Sequence, residues 1–228
     1  MAEEVLTIRC ANELDRPLEH YPVTYGVPLP KGQIQEGDAL AVRPAGGDLR
    51  PVQTRILENY TDGSARWLLL DFSLCLGPEE NREVALVKGK TVRPESAISV
   101  GENNERVRVE TPHFTASIGK TEFSVLESLR ADGRELMEAG SDVIVEAPGE
   151  KLHQASSCPD FQVRVTEAGP LRTVVESSGR HVAADGEELL TFRLRYTFRP
   201  REEGIDISYM FTNEEDPERG VDLAGIRM

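Results

Sequence analysis

The sequence predicts an all-β protein, and three observations carry this prediction. Apolar and polar residues alternate with a period of two, most clearly between Leu190 and Phe198. Asp-Gly pairs at 62–63, 132–133 and 185–186 each lie between apolar stretches, and such pairs favour type I′ hairpin turns. No segment keeps helical apolar spacing for three turns. The best helical candidate, 135–139, is long enough for one turn only.

The strands follow one another along the chain with short connections. Because successive side chains of a strand point to opposite sides, each alternating run has one buried and one exposed face. The segment 25–32 is rich in Pro and Gly and is predicted to be a loop, and the runs 190–198 and 205–211 are predicted to form an antiparallel hairpin. The other predicted strands are 5–10, 40–43, 52–57, 65–70, 83–87, 106–110, 114–118, 143–146, 161–167 and 172–177.

The chain length suits one large domain or two small ones, and the pattern along the chain favours two. Its 228 residues are 39% hydrophobic, which is enough apolar material for a folded core. Short strands and long loops in residues 1–90 favour a small β-barrel. Longer alternating hairpins in residues 106–228 favour an antiparallel sandwich. The polar stretch 91–105 is predicted to be a linker, which could contain a short strand at 97–100.

Charge and composition exclude several kinds of partner. The formal net charge of −14 argues against nucleic acid, whose phosphates require a basic face. The longest apolar stretch, 67–76, is interrupted by Asp71 and Ser73 and is too short to span a bilayer, so no membrane partner is expected. The acidic N-terminus lacks the features of a signal peptide, and the three cysteines form no close pair. A cytoplasmic location is expected.

No local motif assigns catalytic chemistry, a cofactor or a metal. The four histidines lack metal-ligand spacing, and no phosphate-binding glycine motif occurs. His113 is a candidate base, although a structural role is favoured. The acidic segment 213–218 offers oxygen ligands for calcium but lacks the spacing of a calcium loop, so a solvated loop is favoured. Catalytic, binding and metal-ligating residues are therefore left unassigned.

Trp67 is the most distinctive single residue. It is the only tryptophan, and it follows a turn and Arg66 at the start of an apolar strand. With Arg66 it could provide a platform for a sugar ring, because the apolar face of a sugar stacks on indole. A place in the hydrophobic core is the alternative that we favour.

Several segments together resemble a known family. Residues 22–32 (PVTYGVPLPKG), 51–53 (PVQ) and 60–67 (YTDGSARW) resemble the N-terminal region of exo-acting rhamnogalacturonan lyase-like (PcRGLX/YetA-like) proteins. Leu29 stands where that family commonly has Phe, and Tyr60 stands where it commonly has Trp or another aromatic residue. Further matches, in the same order, are 167–175 (EAGPLRTVV), 192–195 (FRLR) and 211–213 (FTN).

The resemblance implies a RIFT-related β-barrel followed by a β-sandwich, with the sandwich expected to be incomplete at its C-terminal end. It also implies that the lyase chemistry belongs to a helical toroid that follows in longer members. The quoted motifs carry no catalytic residue, and no ligand is assigned to Arg172 or Arg195, which are candidates for exposure.

We therefore expect a non-catalytic, carbohydrate-associated β module. Its expected partners are an acidic polysaccharide or oligosaccharide and a separately encoded catalytic domain. Two alternatives stay open. One is an enzyme acting alone on acidic sugars, and the other is an interaction module that pairs through an exposed sheet edge.

Overall fold

Strands form nearly all the regular structure. The computed structural model describes residues 3–95, 97–138, 140–214 and 220–228. Among these residues, the one helical element is a 3-10 turn at Ala155–Ser157. Contacts divide the chain into two units, Met1–Ser96 and Ala97–Met228. The all-β prediction is confirmed.

The first unit contains two three-stranded antiparallel sheets. One has the strand order β1-β6-β3 and the other β2-β5-β4. The strands are β1 (Glu3–Ala11), β2 (Leu18–Pro28), β3 (Leu40–Pro44), β4 (Gln53–Asn59), β5 (Ala65–Leu76) and β6 (Asn81–Lys88).

Both sheets of the first unit contribute to one hydrophobic core. Along β5, every second residue from Leu68 to Leu76 is buried, which is the alternation expected of a strand with one face in the core. Val42 of β3 and Leu86 of β6, from the other sheet, are fully buried in the same cluster. This shared core is what holds the two small sheets together.

The second unit is a β-sandwich of a five-stranded and a seven-stranded sheet. The five-stranded sheet has the order β11-β10-β9-β8-β7. The other has the order β17-β16-β15-β13-β12-β18, with β14 also paired to β15. The strands are β7 (Ser99–Glu102), β8 (Arg106–Glu110), β9 (Thr115–Gly119), β10 (Ser128–Ala131), β11 (Arg134–Glu138), β12 (Ile144–Ala147), β13 (Lys151–Gln154), β14 (Gln162–Glu167), β15 (Thr173–Ala183), β16 (Glu188–Phe198), β17 (Asp206–Thr212) and β18 (Gly225–Arg227).

The core of the second unit lies between its two sheets. Val107 and Ile118 of the five-stranded sheet share one buried cluster with Leu194, Tyr196 and Phe198 of β16. The polar residues that alternate with them on β16, such as Arg193 and Arg195, are exposed. The alternation noted in the sequence therefore separates core from solvent as predicted.

Several local predictions need correction. The segment 135–139 is not a helical turn: residues 134–138 form strand β11, and Ala139 lies outside the described residues. Residues 25–28, predicted to be loop, belong to β2. Within the predicted linker, the short strand suggested at 97–100 is present as β7 at 99–102, where it pairs with β8.

The Asp-Gly turns differ from one another in backbone geometry. All three pairs join consecutive antiparallel strands, as predicted. Only Asp132 and Gly133 both have positive φ, at 51° and 73°. In the other two turns the Gly alone has positive φ, so the type I′ prediction is wrong there.

Candidate functional site

The outer face of the seven-stranded sheet carries a polar surface. Antiparallel pairing aligns Gln162, Ser178, Arg193 and Met210 in one row across β14, β15, β16 and β17. Directly opposed residues of neighbouring strands share a face of the sheet. The four side chains of this row therefore stand side by side on the surface that faces away from the core.

A second row lies next to the first. It consists of Arg180, Thr191 and Thr212, again matched across β15, β16 and β17. The two rows line an open groove of about 400 Å³. Asp160, Glu214, Gly179 and Phe192 complete the lining. We call this feature the sheet groove.

Two arginines give the sheet groove its cationic groups. The Arg180 side chain is 41% exposed and pairs with Glu188 at 2.9 Å. The Arg193 side chain is 54% exposed, and its Nε is 4.0 Å from Glu176. The carboxylate of Glu176 instead accepts hydrogen bonds from Nε and an Nη atom of Arg195, at 3.2 and 3.0 Å. The guanidinium of Arg193 thus keeps most of its hydrogen-bonding capacity for another group.

A closely packed layer lies beneath the sheet groove. A Cβ atom on Gly179 would be 2.9 Å from Cys158 Sγ and 3.0 Å from a ring carbon of Phe192. The backbone N–H of Arg180 donates to the same sulfur at 3.4 Å. Burial raises the pKa of the Cys158 thiol, which therefore stays neutral at physiological pH. This layer supports the groove from the core side.

The residues singled out in the sequence lie apart from one another. Arg195 is exposed and adjoins the sheet groove through Glu176. Arg172 is not exposed: only 14% of its side chain is accessible, and it pairs with the buried Glu167. His113 is exposed in the turn between β8 and β9, where its backbone N–H donates to Thr111.

The favoured core assignment of Trp67 is wrong. The residue is 39% exposed, whereas the next residue, Leu68, is 1% exposed. Arg66 is the extra residue of a bulge in β5, so strand alternation does not separate it from Trp67. It pairs at 2.8 Å with Glu58, which is directly opposite Trp67, and its guanidinium lies 5.9 Å from the centre of the Tyr60 ring.

Potential metal ligands stay dispersed over the described part of the chain. Residues 215–219 lie outside the described residues, so the calcium candidate at 213–218 lies largely outside them as well. Elsewhere in the described ranges, no group of three or more His, Cys, Asp or Glu side chains is placed to hold a metal ion. No helix of the described chain is long and apolar enough to cross a membrane.

Sequence reasoning missed the sheet groove for a definable reason. It identified Thr191 and Arg193 as the polar positions of an alternating strand, which they are. The residues that complete the groove come from β14, β15 and β17. How these strands align with β16 cannot be read from the pattern of a single strand. A row of polar residues at matched positions on successive hairpin strands would have been the available signal.

Taken together, these features define a two-unit β protein with a polar groove on the outer face of its seven-stranded sheet. Comparison with known families gives the same division. Residues 11–89 match the PcRGLX-like N-terminal RIFT barrel domain, and residues 98–228 match the PcRGLX-like protein central beta sandwich domain. The chain belongs to the PcRGLX-like family.

One curated relative shows how much of a longer protein this chain resembles. The chain is 28% identical over 184 residues to "Uncharacterized protein YetA" of Bacillus subtilis (strain 168). The match takes in 77% of this chain and 21% of YetA. The chain therefore corresponds to about a fifth of the length of that relative.

Proposed function

We propose that the protein is a non-catalytic, carbohydrate-associated β module whose sheet groove holds an acidic saccharide. The observation that carries the proposal is the exposed guanidinium of Arg193 in this polar groove. Arg180 lies beside it in an ion pair with Glu188, and the carboxylates of Asp160 and Glu214 also line the groove. Guanidinium groups bind carboxylates through two parallel hydrogen bonds. Uronic acid residues present such a carboxylate at a fixed position on the sugar ring.

The other groups of the sheet groove suit sugar hydroxyls. Ser178 and Thr191 have hydroxyl groups, and Gln162 has an amide that can both donate and accept. Met210 is 55% exposed and offers an apolar side chain to the CH groups of a sugar ring. The Arg193 guanidinium with hydroxyl, amide and apolar neighbours fits an acidic sugar better than inorganic phosphate, which needs no apolar contact.

The non-catalytic part of the proposal rests on the family relationship. The matched regions are the RIFT barrel and the central sandwich, whereas the family resemblance of the sequence assigns lyase chemistry to a helical domain. Eliminating a uronic acid residue requires a base for the C5 proton and a group that neutralises the carboxylate. The sheet groove has arginines for the second task. For the first, its described lining residues include the carboxylates of Asp160 and Glu214 but no histidine, lysine or tyrosine.

Titration calorimetry with rhamnogalacturonan oligosaccharides tests the proposal. Arg193→Gln should weaken binding roughly 10-fold, because a hydrogen bond to a charged group contributes about 1.5 kcal/mol or more. Arg108→Gln is the matched control, since Arg108 is an equally exposed strand arginine on the five-stranded sheet. Equal affinity of both variants would contradict the assignment of the sheet groove.

The same samples test the enzymatic alternative. A lyase acting alone would convert the oligosaccharide to an unsaturated product with a new ultraviolet absorbance. We expect no increase in absorbance at high protein concentration. A steady increase that Arg193→Gln abolishes would replace the binding module with an enzyme.

A second candidate function is pairing through the edge of β17 with another polypeptide, such as a separately encoded catalytic domain. Among the described strands β17 pairs only with β16, and its Met210 and Phe211 are 55% and 44% exposed. Unpaired edge strands are templates for a further strand. If this occurs between copies, sizing at micromolar concentration should show a dimer that Phe211→Lys converts to monomer. A monomer at all concentrations would limit the candidate to other polypeptides.

A further inference from the structure

The outer face of the β2-β5-β4 sheet in the first unit carries a second feature, independent of the sheet groove. Trp67, Leu69 and Asp71 alternate along β5 with Leu68, Leu70 and Phe72, which are at most 3% exposed in the core. Strand alternation therefore places the indole on the face that points away from this core. Packing of the core does not require an indole at this position.

The neighbours of Trp67 leave that face open. Pro28 and Gly26 of β2 are opposite Trp67 and Leu69. On β4 the register shifts between Ile56 and Glu58, so Leu57 is an extra residue in a bulge. Its Cδ1 lies 3.9 Å from the position of a Cβ on Gly26, which means that Leu57 leans across β5 towards β2. We call Trp67, Leu57, Pro28 and Gly26 the indole patch.

A polar group lies further along the same face. Asp71 is four residues beyond Trp67, which is about 13 Å along a strand. Asp71 is 4% exposed, and its carboxylate accepts a hydrogen bond of 2.5 Å from Thr24. Asp71 is therefore too far and too buried to meet a ligand on the indole patch. The charged groups beside the indole are Glu58, directly opposite Trp67, and Arg66, which form an ion pair of 2.8 Å without net charge. The charge on this face therefore favours an uncharged ligand.

The exposed apolar area of the indole patch is small. Trp67 is 39% exposed and Leu57 is 48% exposed. For side chains of this size the two together present on the order of 200 Å² of apolar surface. A stable protein interface needs about 800 Å² from each partner. The patch is therefore too small for a second copy of the chain but large enough for one sugar ring.

We propose that the indole patch is a binding site for an uncharged pyranose, whose apolar face stacks on Trp67 with Leu57 and Pro28 at its sides. The CH groups of such a face are complementary to the electron-rich face of indole. This site differs from the sheet groove in ligand chemistry, because the cation beside it, Arg66, is held in an ion pair with Glu58. It therefore takes a sugar residue without a carboxylate.

The single tryptophan makes a direct test available. Its fluorescence reports only on Trp67, so titrating the whole protein with uncharged methyl pyranosides (gluco, galacto and rhamno) should change the emission and reduce quenching by acrylamide. Sodium galacturonate at the same concentration should have less effect. An unchanged emission and unchanged quenching with every uncharged pyranoside would overturn the proposal.

Variants at Trp67 test whether stacking on the indole carries the affinity. In calorimetry, Trp67→Ala should weaken binding of the best pyranoside about tenfold, and Trp67→Phe should retain part of the affinity. The matched control is Tyr25→Ala, since Tyr25 is 54% exposed but faces the opposite side of the same sheet. Circular dichroism verifies that each variant is folded. Equal loss of affinity in Tyr25→Ala and Trp67→Ala would refute a site on this face.

Two further outcomes are decisive. Arg193→Gln should leave pyranoside binding unchanged, so failure of the sheet groove and failure of the indole patch can be told apart. A blue shift of the Trp67 emission that depends on protein concentration alone would show that the patch is covered by another copy, which would contradict the proposal.

Discussion

Substituting Gly179 with alanine should destabilise the second unit by overpacking the layer beneath the sheet groove. A Cβ at this position would be 2.9 Å from Cys158 Sγ, 3.0 Å from a ring carbon of Phe192 and 3.1 Å from Phe161 Cβ. Carbon atoms in contact normally stand about 3.5–4.0 Å apart. Three neighbours would have to move, and two of them are aromatic residues that pack in the core.

The expected cost follows from this geometry. Adding a methyl group to a well-packed core usually costs about 1–3 kcal/mol. The lower flexibility of alanine in the unfolded chain offsets about 0.4–1 kcal/mol of this. For a domain of this size, a net loss of about 1–2 kcal/mol lowers the melting temperature by roughly 3–10 °C.

Thermal unfolding followed by circular dichroism measures the effect, and Gly101→Ala is the matched control. Gly101 also lies in a paired strand, β7, but a Cβ there would have no neighbour within 4 Å. This control should be as stable as the wild type or slightly more stable. If Gly179→Ala melts at the temperature of Gly101→Ala, the close packing around Gly179 is incorrect.

Two further predictions concern buried polar groups of the second unit. His181 is fully buried, its Nδ1 donates to the carbonyl of Leu190 at 2.8 Å, and its Nε2 accepts a hydrogen bond from Tyr209 at 2.9 Å. Burial lowers the pKa of His181 below its ordinary value, so the unfolded state binds the proton more readily. The free energy of unfolding should therefore fall as the pH drops below about 6.5. Urea titrations at pH 5 and pH 7 should show a smaller change in this free energy between the two pH values for His181→Gln than for the exposed control His113→Gln. Equal changes in the two variants would contradict the assignment to His181. Glu167 is buried and pairs at 2.5 Å with the partly buried Arg172, so Glu167→Gln should lower the free energy of unfolding by about 1.5 kcal/mol or more, because a hydrogen bond between charged groups is lost. The control Glu110→Gln breaks the exposed pair with Arg108 and should change the free energy of unfolding by less than about 1 kcal/mol in the same urea titrations. Similar losses in both variants would refute the difference expected between a covered and an exposed ion pair.

The sequence predicted most strands because the information for a strand is local. The alternation from Leu190 to Phe198 corresponds to β16, and all three Asp-Gly pairs lie in hairpin connections. Where the local composition favours a loop but strand pairing is available, local information does not predict the structure. Residues 25–28 look like a Pro-rich loop, yet pairing with β5 makes them strand, because Pro28 lies at the end of the edge strand β2.

Trp67 as a sugar platform was only the disfavoured interpretation of the sequence, and the sheet groove was not predicted at all. Trp67 and Leu68 are adjacent and both apolar, so the sequence does not show which of them enters the core. That choice depends on the register of β5 against β2 and on the bulge in β4. A shift of one residue would exchange the two faces. The sheet groove likewise depends on how the strands align Ser178, Arg193 and Met210 in one row.

The sequence by itself thus determined that this chain is all-β and where most of its strands and hairpin turns lie, because a period of two and the turn chemistry of Asp-Gly act within a few residues. Only the tertiary structure decided that Trp67 is exposed, that Arg172 is largely covered, and that Arg180 and Arg193 line a common groove. These features depend on pairing between residues distant in the chain, and that pairing is set by burial of the two cores rather than by any local pattern.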